Sequence, residues 1–253
     1  MLYYTKGSGG NGVNSLYFVD TTGTICTETS GIGVPADSAS LPISPIDYDP
    51  AVLQTEGVVP YNMCILKGFN TVLAKTTTNV FPFGIWFANA NTVYVADEGN
   101  GDNTFSTMSG TYTVAAGQIT TGLQKWTFNS STGTWSKAYT LRNGLNLGVP
   151  YTVPGYPAGI NSATGLPWSP ATDGLRNITG IVNRDGSATI YAITSTVSGG
   201  GDQGADPNKL VAISDDINTT TLPSREKFST LRRAGFAEVL RGVSFTPGSW
   251  LNW

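Results

Sequence analysis

Histidine is absent from the 253 residues. Its absence removes the commonest general base, the Ser-His-Asp triad and the His-based zinc sites together. Any hydrolytic chemistry must then run on carboxylates, a hard metal ion, or a less usual base such as Lys or Tyr. Charge is scarce as well: Asp, Glu, Lys and Arg make up 12% of the chain, about half the usual share. The 14 Lys and Arg are scattered and the net charge is −3, so no basic patch marks a nucleic-acid surface. Apolar runs long enough to span a bilayer are missing, and no membrane partner is expected. The start, MLYYTKGSGG, has no basic n-region leading into an apolar h-region. The low-lysine, Thr/Gly-rich composition is nevertheless compatible with an exported bacterial protein truncated at its N-terminus, and Met1 need not be the natural start. Only two cysteines occur, Cys26 and Cys64. Two thiols carry no framework signal, and whether they pair is open at this point.

What the chain has is turn and strand material. Gly, Ser, Thr and Asn supply the polarity, and the 40% hydrophobic fraction is enough for a core. PFGIWFANANTVYVAD (82–97) reads as strand, short turn, strand, and NITGIVNRDGSATIYAIT (177–194) repeats the plan. In the second, Asp-Gly supplies the positive φ a tight hairpin needs. Each pair is followed by a loop rich in Gly, Asp and Asn, then by a third strand. DEGNGDN leads to GLQKWTFN (122–129), and TVSGGGDQGADPN leads to KLVAISDD (209–216). Fourth strands follow at 134–142 and 228–235. The N-terminus shows the same order without its first strand: LYYTK, GSGGNGVN, SLYFVDTTG, with MCILKGFNTVLAK (63–75) in the fourth place. The missing first strand is expected at the other end, in EVLRGVSFTPG (238–248). N- and C-terminal strands sharing one four-stranded sheet are the closure device of β-propellers.

PFGIWFANANTVYVADEGN resembles the NHL repeat, which runs Pro-x-Gly-Ile, a few residues, then Val/Leu-Tyr-Val-Ala-Asp-x-x-Asn. Pro82, Gly84, Ile85, Tyr94, Val95, Ala96, Asp97 and Asn100 match it, and 177–194 follows it loosely. The same grammar is similar to that of the gluconolactonase-like, lactonase-type six-bladed propellers. The two matched units cover about 60 residues. The resemblance implies an all-β fold, one β-propeller domain over 1–253 with four-stranded blades. Only about three blades' worth are present, too few to close a ring. The expected remedy is a homodimer in which a second chain completes six blades, since open sheet edges are aggregation templates.

In a propeller, the second-to-third loops and the interblade segments share one mouth. The segment 143–175 is too long for a mere connection and carries Tyr151, Tyr156 and Trp168, candidate substrate-binding residues. Asp97, Glu98, Asp102, Asp173, Asn177, Asp202, Asp206 and Arg241 are expected on the same face. Asp97, Asp102, Asn177, Asp202 and Asp206 are candidate ligands for Ca²⁺, which takes oxygen donors. Asp97, Glu98, Asp173 and Arg241 are the candidate catalytic set. The alternative is that all are turn residues, which Asp, Asn and Gly dominate for conformational reasons alone. The family's metal-ligand Asn in Pro-Asn-Gly corresponds here to Phe83 and, at the closing strand, to Arg241. Two functions are weighed, and the first is preferred because the acids and the long aromatic segment gather on one expected face. One is a Ca²⁺-assisted hydrolase of small lactones or esters, such as acyl-homoserine lactones. The other is a non-catalytic binding or scaffold propeller.

Overall fold

The computed structural model describes residues 2–7, 13–19, 36–39, 63–72 and 80–246. They are all-β apart from one short helix, and three four-stranded sheets dominate. Sheet I contains β1 (Leu2–Lys6), β2 (Ser15–Val19), β3 (Ala36–Ala39) and β4 (Met63–Leu66), in the order β1-β2-β4-β3. Its pairs are antiparallel except β3 with β4. Sheet II is an antiparallel meander of β5 (Pro82–Asn89), β6 (Thr92–Asp97), β9 (Gly122–Asn129) and β10 (Thr134–Leu141). The β6–β9 connection carries a small hairpin, β7 (Phe105–Ser106) with β8 (Thr111–Tyr112), and the helix α1 (Thr113–Gly117). A second small hairpin, β11 (Ile160–Asn161) with β12 (Leu166–Pro167), precedes sheet III. Sheet III is the meander β13 (Ala171–Val182), β14 (Ser187–Val197), β15 (Lys209–Asp216), β16 (Ser229–Arg233). Among the described residues none of the sheets closes on itself.

Cores fill the spaces between successive sheets. Leu16, Phe18 and Ile65 meet Val93, Val95 and Trp135 between sheets I and II. Tyr94, Ala96, Leu123 and Tyr139 meet Ile190, Val211 and Ile213 between sheets II and III. Alternate residues of β6 therefore face opposite cores, which is why TVYVAD is apolar without interruption rather than alternating. β15 keeps a period of two, with Lys209, Val211, Ile213 and Asp215 on its buried side.

The Gly-Ile opening of each repeat has a packing cause. A Cβ on Gly84 would lie 2.3 Å from the Arg176 carbonyl oxygen, and one on Gly180 would lie 2.8 Å from the Trp86 ring. The first strands of sheets II and III approach so closely there that only glycine fits. A Cβ on Gly7 would likewise lie 2.2 Å from the Pro82 carbonyl oxygen, where sheet I meets sheet II.

The closing strand is the expectation that fails. Residues 238–246 form no strand, and β1 lies at an edge of sheet I among the described strands. The buried Asn208 side chain is the physical reason. Its amide donates to the Leu240 carbonyl (2.9 Å) and its oxygen accepts from the Leu240 N–H (2.8 Å). These bonds take the main-chain groups a ladder would need and tether the tail beside β15. Phe245 then stands edge-on to Tyr191. Cys64 is disulfide-bonded; the chain's other cysteine, Cys26, lies outside the described residues.

Candidate functional site

Where β6 leaves sheet II, its last residue abuts β13 of sheet III. Gly174 is pressed against the Asp97 carbonyl, with space for a Cβ only 2.3 Å away. The Thr121 hydroxyl donates to the carbonyls of both Asp97 and Asp173, each at 3.2 Å. β13 shifts register between Thr172 and Leu175 and again between Leu175 and Ile178. These irregularities hold Asp173 and Arg176, and bulges of this kind re-aim side chains at strand ends.

Three acids meet here. Asp97 is fully buried and accepts from the N–H of Phe81 (2.9 Å), the N–H of Gly99 (3.0 Å) and the side chain of Gln124 (3.1 Å). Asp173, equally buried, accepts from the Gly101 N–H (2.9 Å), Gln203 (2.8 Å) and Gln118 (2.7 Å). Glu98 pairs with Arg176 through a 2.8 Å Nε–Oε2 bond. The loop DEGNGDN wraps the Asp173 carboxyl because Gly99 and Gly101 take φ of 81° and 70°.

Burial dominates the electrostatics of this group. It pushes Asp97 up to about 6, against the donors at Phe81 and Gly99 and with help from the charges of Asp173 and Glu98. It pushes Asp173 to about 6 as well, opposed by Gly101, Gln203 and Gln118. Glu98 is raised by burial and held back by Arg176.

The remaining expected site residues divide. Asp206 is buried; its carboxylate accepts from the Tyr156 hydroxyl and, at 2.5 Å, from the Ser198 hydroxyl. Asp102, half-buried, and Asp202, exposed, sit in local turns, accepting from the N–H two residues on, Thr104 and Gly204. Asn177 is half-buried on β13, and Arg241 is exposed on the tail. Neither bonds to the acids. Phe83 stacks against Arg176, its ring centroid 4.6 Å from the guanidinium. A hydrophobic–cationic contact thus stands where the resembled family has a metal-ligand Asn.

Segment 143–175 is ordered onto the same end. The Tyr151 hydroxyl donates to the Pro207 carbonyl, and its ring receives the buried Lys209 ammonium 3.6 Å from its centroid. Burial, then Arg233, lowers Lys209 to about 8. Tyr112 fixes the hairpin at Pro167 through its hydroxyl (2.9 Å). Tyr156 packs edge-on to Phe236, and Trp168 is half-buried with its main-chain N–H donating to the Gly159 carbonyl.

Gln118, Gln124, Gln203 and Arg176 complete the group, and sequence reasoning missed all four. Their positions have no periodic or motif signal; only the fold brings them to Asp97, Asp173 and Glu98. Among the described residues no group of three or more His, Cys, Asp or Glu side chains is arranged to hold a metal ion. No protein-family model, curated protein or solved structure matches the chain.

Proposed function

We propose that the chain is a non-catalytic binding or scaffold module of NHL-like construction, with its contact surface on the loop-bearing end. The observation that carries this reading is the valence of the buried acids. Asp97 and Asp173 each receive three donors from the protein itself, and Glu98 is paired with Arg176. A Ca²⁺ ion would have to displace those N–H donors from the oxygens it needs. The acids serve as the joint between sheets II and III. The loops also expose large apolar side chains, Met108 at 97%, Ile119 at 76% and Phe236 at 59% among them. Apolar groups carried on fixed loops fit a partner surface better than they fit bulk water. Pairing of two copies to extend the three unclosed sheets belongs to the same reading, and sedimentation would give a dimer.

The lactone hydrolase is the second reading. What favours it is the pair of carboxyls held near 6, where a general base is useful. One experiment separates the two. Purified protein is incubated with a panel of lactones and esters, with added Ca²⁺ and with a chelator, while thermal unfolding is followed for wild type and Asp97→Asn. The binding module gives no turnover, no Ca²⁺-dependent shift in Tm, and a lower Tm for the variant. Chelator-sensitive turnover that Asp97→Asn abolishes at unchanged Tm reverses the assignment.

A further inference from the structure

A second buried ionic group lies away from the loop end, in the core between sheets II and III. Lys125 on β9 and Asp215 on β15 are both fully buried as side chains, with Nζ 3.0 Å from Oδ2. The lysine also donates to the Tyr139 hydroxyl (3.0 Å) and to the Asp216 carbonyl (2.5 Å). The hydroxyls of Tyr94 and Tyr139 donate to Asp215, on Oδ2 and Oδ1 respectively. The two tyrosine rings wall the ammonium, with centroids 5.9 and 5.1 Å from Nζ. Glu226 adjoins Asp215, and its Oε2 is buried without a donor. Burial and then the Asp215 carboxyl push Glu226 above the usual carboxylate range, so it carries a proton at neutral pH.

We propose that Lys125 and Asp215 condense spontaneously into an intramolecular amide cross-link between sheets II and III, with Glu226 as the proton shuttle. Ionic burial supplies the drive. A Lys⁺–Asp⁻ pair in a dry core carries a desolvation cost that its attraction barely repays, and condensation removes both charges. Proton transfer within the pair, across the 3.0 Å Nζ–Oδ2 contact, yields the amine nucleophile.

The chemistry balances within the chain. A proton passes from the Lys125 ammonium to the Asp215 carboxylate, leaving an amine and a carboxylic acid. The Nζ lone pair attacks Cγ, and the C=O π pair moves onto oxygen. The Tyr94 and Tyr139 hydroxyls, already aimed at the two carboxyl oxygens, stabilise the developing negative charge. Glu226 gives its proton to the departing oxygen and takes one back from the nitrogen. The C–N bond forms, one C–O bond breaks, and one water leaves. The new amide N–H has an acceptor waiting in the Asp216 carbonyl. No oxidant, reductant or co-substrate is needed.

The test is the mass of the full chain, measured after disulfide reduction. Cross-linked protein is lighter than its sequence mass by one water, about 18 Da. Proteolysis then yields a branched peptide that joins the Lys125 and Asp215 segments. Asp215→Asn condenses with loss of ammonia instead, about 17 Da below its own sequence mass, and converges on the same product. Folded Glu226→Gln forms the bond slowly or not at all, with its circular dichroism unchanged. Lys125→Met cannot form it. Full sequence mass in folded wild-type protein overturns the proposal, leaving a buried ion pair only. So does loss of one water without the branched peptide, as cyclisation at Asp173-Gly174 or Asp185-Gly186 would give. Cross-linking of Glu226→Gln at the wild-type rate overturns the role of Glu226.

Discussion

Gly99 tests the joint between sheets II and III at the level of a single atom. Its φ of 81° disfavours any side chain, and a Cβ would lie 2.4 Å from the Asp173 carboxyl. Gly99→Ala therefore combines left-handed strain with displacement of a carboxylate that holds three donors. A loss of about 2–4 kcal/mol is expected in denaturant unfolding. Gly110→Ala is the control, since its φ of 66° is similar but nothing lies within 4 Å; it should lose only about 1 kcal/mol. The acids themselves set a pH dependence. Asp97 and Asp173 are raised from 3.8 to about 6, so the folded state binds more protons than the unfolded state between those values. Stability is then greatest below 3.8 as far as these two groups decide it, and declines as pH rises through 6. Thermal unfolding from pH 4 to 7 checks this, and Asp97→Asn should flatten the profile. At this scale the sequence was partly legible. Asp97, Glu98 and Asp173 do come together, because Asp97 ends a recognisable strand and Glu98 follows it. Their partners did not show, since Gln118 and Gln203 sit in irregular loops that only tertiary packing brings together.

At the scale of elements, period-two alternation and Asp-Gly turn chemistry predict the hairpins 82–97 and 177–194, and sheets II and III contain them in chain order. Asp215 shares the buried side of β15 with Val211 and Ile213, and Lys125 pairs across the ladder with Tyr94 in β6. A charge at such a position is the signal for a buried ionic group, readable without a structure. The tail defeated the same reasoning. Residues 238–248 have the right alternation, but strand formation depends on a free ladder edge, and the Asn208 amide captures Leu240 instead. No local pattern encodes that competition. The glycine that opens each repeat gives a prediction belonging to this scale. Gly84→Ala drives a Cβ to 2.3 Å from a main-chain oxygen on β13, which no side-chain rotation relieves. The two strands must separate, and a loss of about 3 kcal/mol or more is expected. Gly242→Ala, with nothing within 4 Å, should be neutral in the same thermal scan.

For the whole molecule, the question is what keeps sheets II and III together when neither closes on itself. Their junction holds a continuous apolar core, the Gly84–Arg176 and Gly174–Asp97 backbone approaches, and the Lys125–Asp215 pair. The ion pair alone is a weak contributor, because desolvation offsets most of its attraction. An amide at the same place acts differently: it closes a loop of about 90 residues and restricts the unfolded chain, which the loop-entropy model values at about 4–5 kcal/mol. For a chain of this size each kcal/mol moves the midpoint by about 2–4 °C, so the bond raises Tm by on the order of 10 °C. Glu226→Gln isolates that contribution, since it keeps the shape of the core and removes only the proton shuttle. Scanning calorimetry of reduced samples should place its midpoint on the order of 10 °C below wild type. Lys125→Met should fall at least as far, because it leaves the buried Asp215 charge unpaired. Equal midpoints for wild type and Glu226→Gln would mean that the apolar core and the glycine contacts hold the two sheets together without a covalent bond.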